Sequence, residues 1–255
     1  MSLYLKQFET QAAYEAAESG LILPNVSLTL DNNAIHYNPY VDPCANEKVK
    51  TTYEWVEIGG VKWATKNVGA LTVTDYGQYF SWGEVNGYTA DQVSGGCKAF
   101  SWADYKYNSG GTSPSAFDMT KYNSTDGKTV LEASDDAATV NMGSGWRMPT
   151  KDEYVALGNA VNTASTSDYQ GSGVAGLICT DKTDRSKVLF FPACGYCNNG
   201  IVRNAGDYCY YLSSSLSNDI KASSVLKALL NYGMVYWDNN TTRCNGCSIR
   251  GVVNE

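Results

Sequence analysis

The sequence predicts an α+β fold. Short aromatic and β-branched runs are divided by Gly-rich turns, one strongly capped helix stands in mid-chain, and the last third shows little continuous apolar periodicity. With 255 residues, 43% hydrophobic and 18% charged, the chain can bury one large core and still carry a small appendage.

The elements follow in order. Leu5, Phe8, Ala12 and Ala16 recur at helical spacing between Leu3 and Glu18, so a short amphipathic helix is expected there, ended by Gly20. Val26, Leu28 and Leu30 then alternate with polar residues. The turn residues Asp31, Asn32 and Asn33 precede Ala34 to Tyr37, which reads as a small hairpin. The breaks Asn38-Pro39 and Asp42-Pro43 place a boundary near residue 45, separating an attachment segment, 1–45, from a main domain, 46–255.

The stretches YEWVEIGG, VKWATKNVG and GQYFSWGE read as short strands, with Trp55, Trp63, Tyr79, Phe80 and Trp82 as core aromatics. Residues 106–129, rich in Gly, Ser, Thr and Asn, read as a long exposed loop. Thr150 followed three residues later by Glu153 caps a helix that carries Tyr154, Val155, Leu157, Ala160 and Val161. Lys187 to Pro192 reads as a buried strand that stops at proline. Val225, Leu226, Leu229 and Leu230 fit a helix over 222–232 by periodicity alone, although so short an apolar run also fits a strand.

A net charge of -7 without a basic cluster argues against nucleic acid as a partner. The N-terminus lacks the layout of a signal peptide, and no stretch approaches the roughly 20 apolar residues of a membrane span. Synthesis in the cytoplasm without membrane insertion is therefore expected, with the eight cysteines as reduced thiols. The 19 Tyr and 24 Gly, among many Ser and Asn, match the composition of recognition surfaces, and also that of a loop-rich β protein.

Motifs for chemistry are few. Cys194-Gly-Tyr-Cys197 and Cys244-Asn-Gly-Cys247 would suit a four-thiolate zinc site in a compact module, but here the pairs are far apart, and no metal or cofactor is expected. The single histidine, His36, lies in the appendage, which leaves Ser-His-Asp and Cys-His catalysis without a base. Asp135-Asp136 and Asp152-Glu153 read as solvated or helix-terminal acids. Arg147 is expected to pair with a carboxylate beside a packed Trp146. Trp237-Asp238-Asn239 lacks the companion triplet of calcium-dependent sugar sites, and the Asn-x-Ser/Thr sequons at Asn25, Asn123 and Asn240 are read as chance.

Three phrases taken together carry a resemblance: VKWATKNVGA with DYGQYFSWGE, then GSGWRMPTKDEY, then LFFPACGY with YLSSS and RCNGCSIRGVV. They resemble the Fibrobacter succinogenes major paralogous domain, a branch of the C-type-lectin-like fold related to formylglycine-generating enzymes. The resemblance implies two helices on a small twisted antiparallel sheet with long loops, and strand rather than helix at 222–232. The Asn- and Tyr-rich tail is similar to the variable proteins of diversity-generating retroelements, in which codons ending in C are randomised. Between Cys194 and Arg250 only Lys221, Lys227, Met234 and Trp237 fall outside that codon set. Leu212 stands where the family carries Trp.

The resemblance implies a non-enzymatic, hypervariable receptor-binding protein with its variable region at 194–250. LPNVSL and HYNPY resemble the leader of tail-associated proteins of Bacteroidales phages. That implies a phage-tail adhesin, carried out on the virion, which meets a protein or glycan receptor on a target cell and trimerises through its N-terminal segment. The implied ligand-binding residues are Cys197, Asn198, Asn199, Ile201, Arg203, Asp207, Tyr208, Cys209, Tyr210, Asp219, Ile220, Ser223, Ser224, Asn231, Tyr232, Tyr236, Asp238, Asn239 and Asn240. A formylglycine-generating-type cysteine oxidase and a non-variable surface or pilus protein are the alternatives.

Overall fold

The computed structural model describes residues 26–31, 34–39, 42–45 and 51–254. The helix expected at 3–18 lies outside them. The chain divides into two compact units, Met1–Ala45 and Asn46–Glu255. In the first, β1 (Val26–Asp31) pairs antiparallel with β2 (Ala34–Pro39), and Asp31 faces Ala34 across the end of the expected hairpin.

The second unit is mixed α+β, with small antiparallel sheets and few helices. It opens with β3 (Trp55–Ile58) and β4 (Val61–Ala64), then α1 (Ala90–Ser94), α2 (Ala137–Met142), β5 (Trp146–Arg147) and α3 (Lys151–Ala160). After these come β6 (Val161–Thr166), β7 (Gly176–Asp181), β8 (Val188–Pro192), and the hairpin β9 (Tyr196–Asn198) and β10 (Ile201–Arg203). The chain ends with β11 (Tyr208–Leu216), β12 (Ala222–Leu229), β13 (Met234–Thr242) and β14 (Val252–Val253). The two ends of this unit meet in one sheet, ordered β3-β4-β14-β5, where Val252 pairs with both Trp63 and Arg147. The meander β6-β7-β8 and the sheet β11-β12-β13 complete the body.

Helix α3 starts as its sequence requires. The Thr150 side chain accepts from the Glu153 amide, and the Glu153 carboxylate returns a bond to the Thr150 amide, so two otherwise unpaired donors are satisfied. Arg147 grips the same carboxylate with both terminal nitrogens, at 2.8 and 2.6 Å, as expected of that arginine. The helix buries Tyr154 and Leu157 and packs against β13. Gly158 permits that approach, because a Cβ there would lie 2.5 Å from Trp237 Cδ1.

Of the aromatics expected in the core, Trp63, Tyr79, Phe80 and Trp82 are buried. Their polar edges are largely satisfied: Trp82 Nε1 donates to the Ser213 carbonyl at 3.0 Å and the Tyr79 hydroxyl to the Cys194 carbonyl at 2.6 Å. Trp55 departs from expectation. It is 50% exposed on the edge strand β3, where the Lys62 ammonium lies 5.3 Å from its ring.

Other expectations need correction. The segment 106–129 has only one short 3-10 turn, Ala116–Asp118, but it is not simply exposed: Tyr107, Met119 and Tyr122 sink into the core and anchor it. The described residues hold three α-helices where two were expected, and α1 and α2 are short. The strand that the resemblance implies at 222–232 is present, by contrast, as β12 over 222–229, followed by the 3-10 turn Leu230–Tyr232 and a left-handed Gly233. Pairing with β11 and β13 on both sides overrides the helical spacing of its leucines.

In the second unit Cys179, Cys194, Cys197, Cys209, Cys244 and Cys247, the two C-x-x-C pairs among them, are free and buried. The paired acids are structural. Asp136 caps α2 through the Thr139 amide and accepts from the Met148 amide, while Asp135 receives Lys106, Lys121 and the Tyr122 hydroxyl.

Candidate ligand-binding surface

The tail is anchored at both ends by buried side chains that donate to carbonyls. The Tyr211 hydroxyl donates to the Pro192 carbonyl at 2.8 Å and the Tyr79 hydroxyl fixes Cys194, so the entry to the segment is tied to the core. Its exit is tied by two fully buried arginines. Arg243 donates to the Tyr105 hydroxyl and to the carbonyls of Lys121, Tyr122 and Ile220, with its guanidinium 4.7 Å from the Trp82 ring. Arg250 donates to Asn67 Oδ1 and to the carbonyls of Ala64, Thr65 and Phe190, and lies 4.8 Å from the Phe191 ring. Carbonyls and ring faces, rather than carboxylates, compensate the loss of hydration.

Between these ties the two outer strands of the sheet diverge. β11 is buried along nearly its whole length, whereas β13 alternates exposed and half-buried positions from Met234 to Asn240. Across the open part of the sheet, Tyr210 pairs with Lys227 and Lys227 with Tyr236, forming one cross-strand row. The Lys227 ammonium lies 5.3 Å from the Tyr210 ring, and Tyr196 on β9 packs its ring 4.9 Å from Tyr210. A register shift between Val225 and Lys227 sets Trp237 and Asp238 opposite Leu226, a bulge that re-aims the outer half of β13.

Three clefts adjoin along this strand. The first, about 330 Å³, is lined by Tyr196, Tyr210, Ala222, Asn240, Thr241, Thr242 and Asn245. A second, about 100 Å³, lies among Lys151, Ser217, Asn218, Ser224, Asp238 and Asn240, where the Ser224 hydroxyl donates to Asp238 at 2.7 Å. A third, about 330 Å³, includes Trp102, Asn198, Asn199 and Thr242. Asn240 borders the first two, and Thr242 joins the first to the third.

The residues expected to bind ligand therefore divide by position. Asn199, Ile201, Arg203, Asp207, Asp219, Asn231, Tyr232, Tyr236, Asp238 and Asn240 are exposed, and Asn198, Tyr208, Ile220 and Asn239 are half-buried. Tyr210, 9% exposed, and Ser224 reach the surface only at cleft walls. Cys197, Cys209 and Ser223 are corrected: all three are buried, the two cysteines in the core behind the sheet, and their side chains offer nothing to a surface ligand. Asn231 donates to Asp207 at 2.8 Å, tying the turn after β12 to the loop before β11. Sequence reasoning missed Tyr196, Thr242 and Asn245. It also set Lys227 and Met234 aside on codon grounds, although Lys227 sits at the centre of the open face and Met234 is exposed beside it.

The free thiols do not form a reactive centre. Burial raises the pKa of Cys179, Cys194, Cys197, Cys209 and Cys247 above the usual thiol value and pushes Cys244 up to about 12. Among the described residues no three His, Cys, Asp or Glu side chains are grouped to hold a metal ion, and no helix is long and apolar enough to cross a membrane. Comparison of the chain with protein-family models, with curated proteins and with solved structures gives no match.

Proposed function

We propose that this chain is a non-enzymatic ligand-binding protein with a C-type-lectin-like fold of the formylglycine-generating-enzyme-like branch. In this reading its tail is diversified by a retroelement, and a phage tail presents it to a protein or glycan receptor on a target cell. The observation that carries the reading is the separation of roles within residues 194–250. Aromatic, amide and charged side chains gather along adjoining clefts, while buried hydrogen bonds from Tyr211, Arg243 and Arg250 anchor the same segment to the core. Such a segment can change its outer side chains at small cost in stability.

A cysteine oxidase draws no support from thiols that are buried and held protonated. Trimerisation through residues 1–45 belongs to the proposal and would multiply weak contacts by avidity.

Sequencing the 3′ end of the gene across sibling isolates tests the reading. Variation is expected at exposed tail positions such as Asn199, Arg203, Tyr236 and Asn240, with Tyr211, Arg243 and Arg250 constant. A tail that is invariant across isolates overturns the diversification.

A further inference from the structure

The cleft between β9 and β13 has a lining unlike the rest of the surface. Its walls carry two tyrosine rings, two asparagine amides and two threonine hydroxyls, and no charged side chain. Several of its polar groups are unused. The hydroxyls of Tyr196 and Tyr210, the Asn240 amide and the Thr242 hydroxyl make no hydrogen bond among the described residues, and none of them is a buried orphan.

Asn245, by contrast, is fixed. It accepts from Asn198 at 2.9 Å and donates to Thr241 at 3.1 Å, which leaves one amide hydrogen and one lone pair for an incoming group. Asn199 in turn donates to Asn198, so a chain of amides from the surface orients Asn245 at the cleft wall.

Uncharged walls disfavour an ionic ligand, because desolvating a charge there would go uncompensated. A dense set of free amides and hydroxyls beside aromatic rings fits a ligand that has many hydroxyls and an apolar C–H face. We propose that this cleft is a subsite for a neutral pyranose sugar, bound by ring stacking on Tyr196 and by hydrogen bonds from Asn240, Thr242 and Asn245, without a metal ion. The cleft offers no carboxylate to ligate calcium. The proposal rests on the ligand-binding reading of the tail and narrows it to a substrate class.

The test is saturation-transfer NMR on the full chain with the methyl glycosides of glucose, galactose, mannose and N-acetylglucosamine, in the presence of EDTA. At least one glycoside is expected to receive saturation. Tyr196→Ala and Asn240→Ala should each weaken its binding about tenfold, the scale of losing one anchoring contact. The Asn240 side chain makes no hydrogen bond among the described residues, so its variant reports on the cleft even if Tyr196→Ala fails to fold. Trp55→Ala removes an exposed ring from a different sheet and should leave the signal unchanged.

Absence of transfer to every glycoside at millimolar concentration overturns the proposal. So does binding that EDTA abolishes, or binding that neither cleft variant alters. The isolate survey judges the diversified-tail reading independently, so a negative result here with a variable tail rejects only the sugar.

Discussion

Strands β11 and β13 have the same length and lie in the same sheet, yet they do opposite work. Residues on both sides of β11 meet protein. Its backbone touches the segments around Val130, Gly195 and Ser248, and the rings of Phe191 and Tyr211 lie 5.0 Å apart in an edge-to-face pair. Helix α3 covers one side of β13 and nothing among the described residues pairs with its outer edge. Strand length and sheet membership do not decide which strand becomes scaffold and which becomes surface. The decision lies in what else the chain brings alongside, and that is set by contacts distant in sequence.

The largest expected effect tests the lock that holds both strands. Arg250→Ala strands the Asn67 oxygen and three carbonyls in the core and leaves a cavity, so urea denaturation should show a loss of about 4–5 kcal/mol. Arg250→Lys should not restore it, because an ammonium lacks the planar fork that reaches four acceptors.

Next in size is the scaffold strand itself. Tyr211→Ala on β11 should cost about 3–5 kcal/mol by the same measurement, as should Trp63→Ala beneath the helix.

A smaller effect concerns the cover of β11. Burial alone would raise the Asp135 carboxyl, but hydrogen bonds from Lys121, Tyr122 and Lys106 hold it well below the usual carboxylate range. A depressed folded-state value stabilises the protein above the unfolded pKa, and that contribution is lost as pH falls through the folded one. The denaturation midpoint should therefore decline below about pH 4, and Asp135→Asn should flatten that acid limb at the cost of lower stability at neutral pH. An unchanged acid limb in the variant refutes the assignment.

The smallest effect belongs to the surface strand: Tyr236→Ala on β13 should shift stability by no more than about 0.5 kcal/mol. If Tyr236→Ala unfolds the protein as readily as Tyr211→Ala, the contrast between the strands is wrong.

Local rules were legible in the sequence wherever the cause was local. The Thr150–Glu153 capping box, the pairing of β1 with β2, the apolar run ending at Pro192 and a carboxylate partner for Arg147 were all readable from neighbouring residues. Non-local outcomes were not. Trp55 looks like a core residue until it is seen on an edge strand, and Ser223 looks like a surface residue until Thr241 and the core close over it.

The candidate site was legible as a segment but not as a set of side chains. A filter based on codons ranks residues by how they can arise, whereas exposure follows strand alternation and the bulge near Leu226. Lys227 was thus passed over, while Cys197 and Cys209 were named.

The two buried arginines have one more consequence. Every acceptor that receives them is a backbone carbonyl, an amide oxygen or a phenol hydroxyl, and none of these takes up a proton in the range where carboxylates do. Salt bridges such as Arg147–Glu153 and Lys121–Asp135 dissolve once their acids are neutralised. The guanidinium locks give acid nothing to neutralise, so residues 194–250 should remain in register in surroundings sour enough to open the ion pairs elsewhere on the molecule.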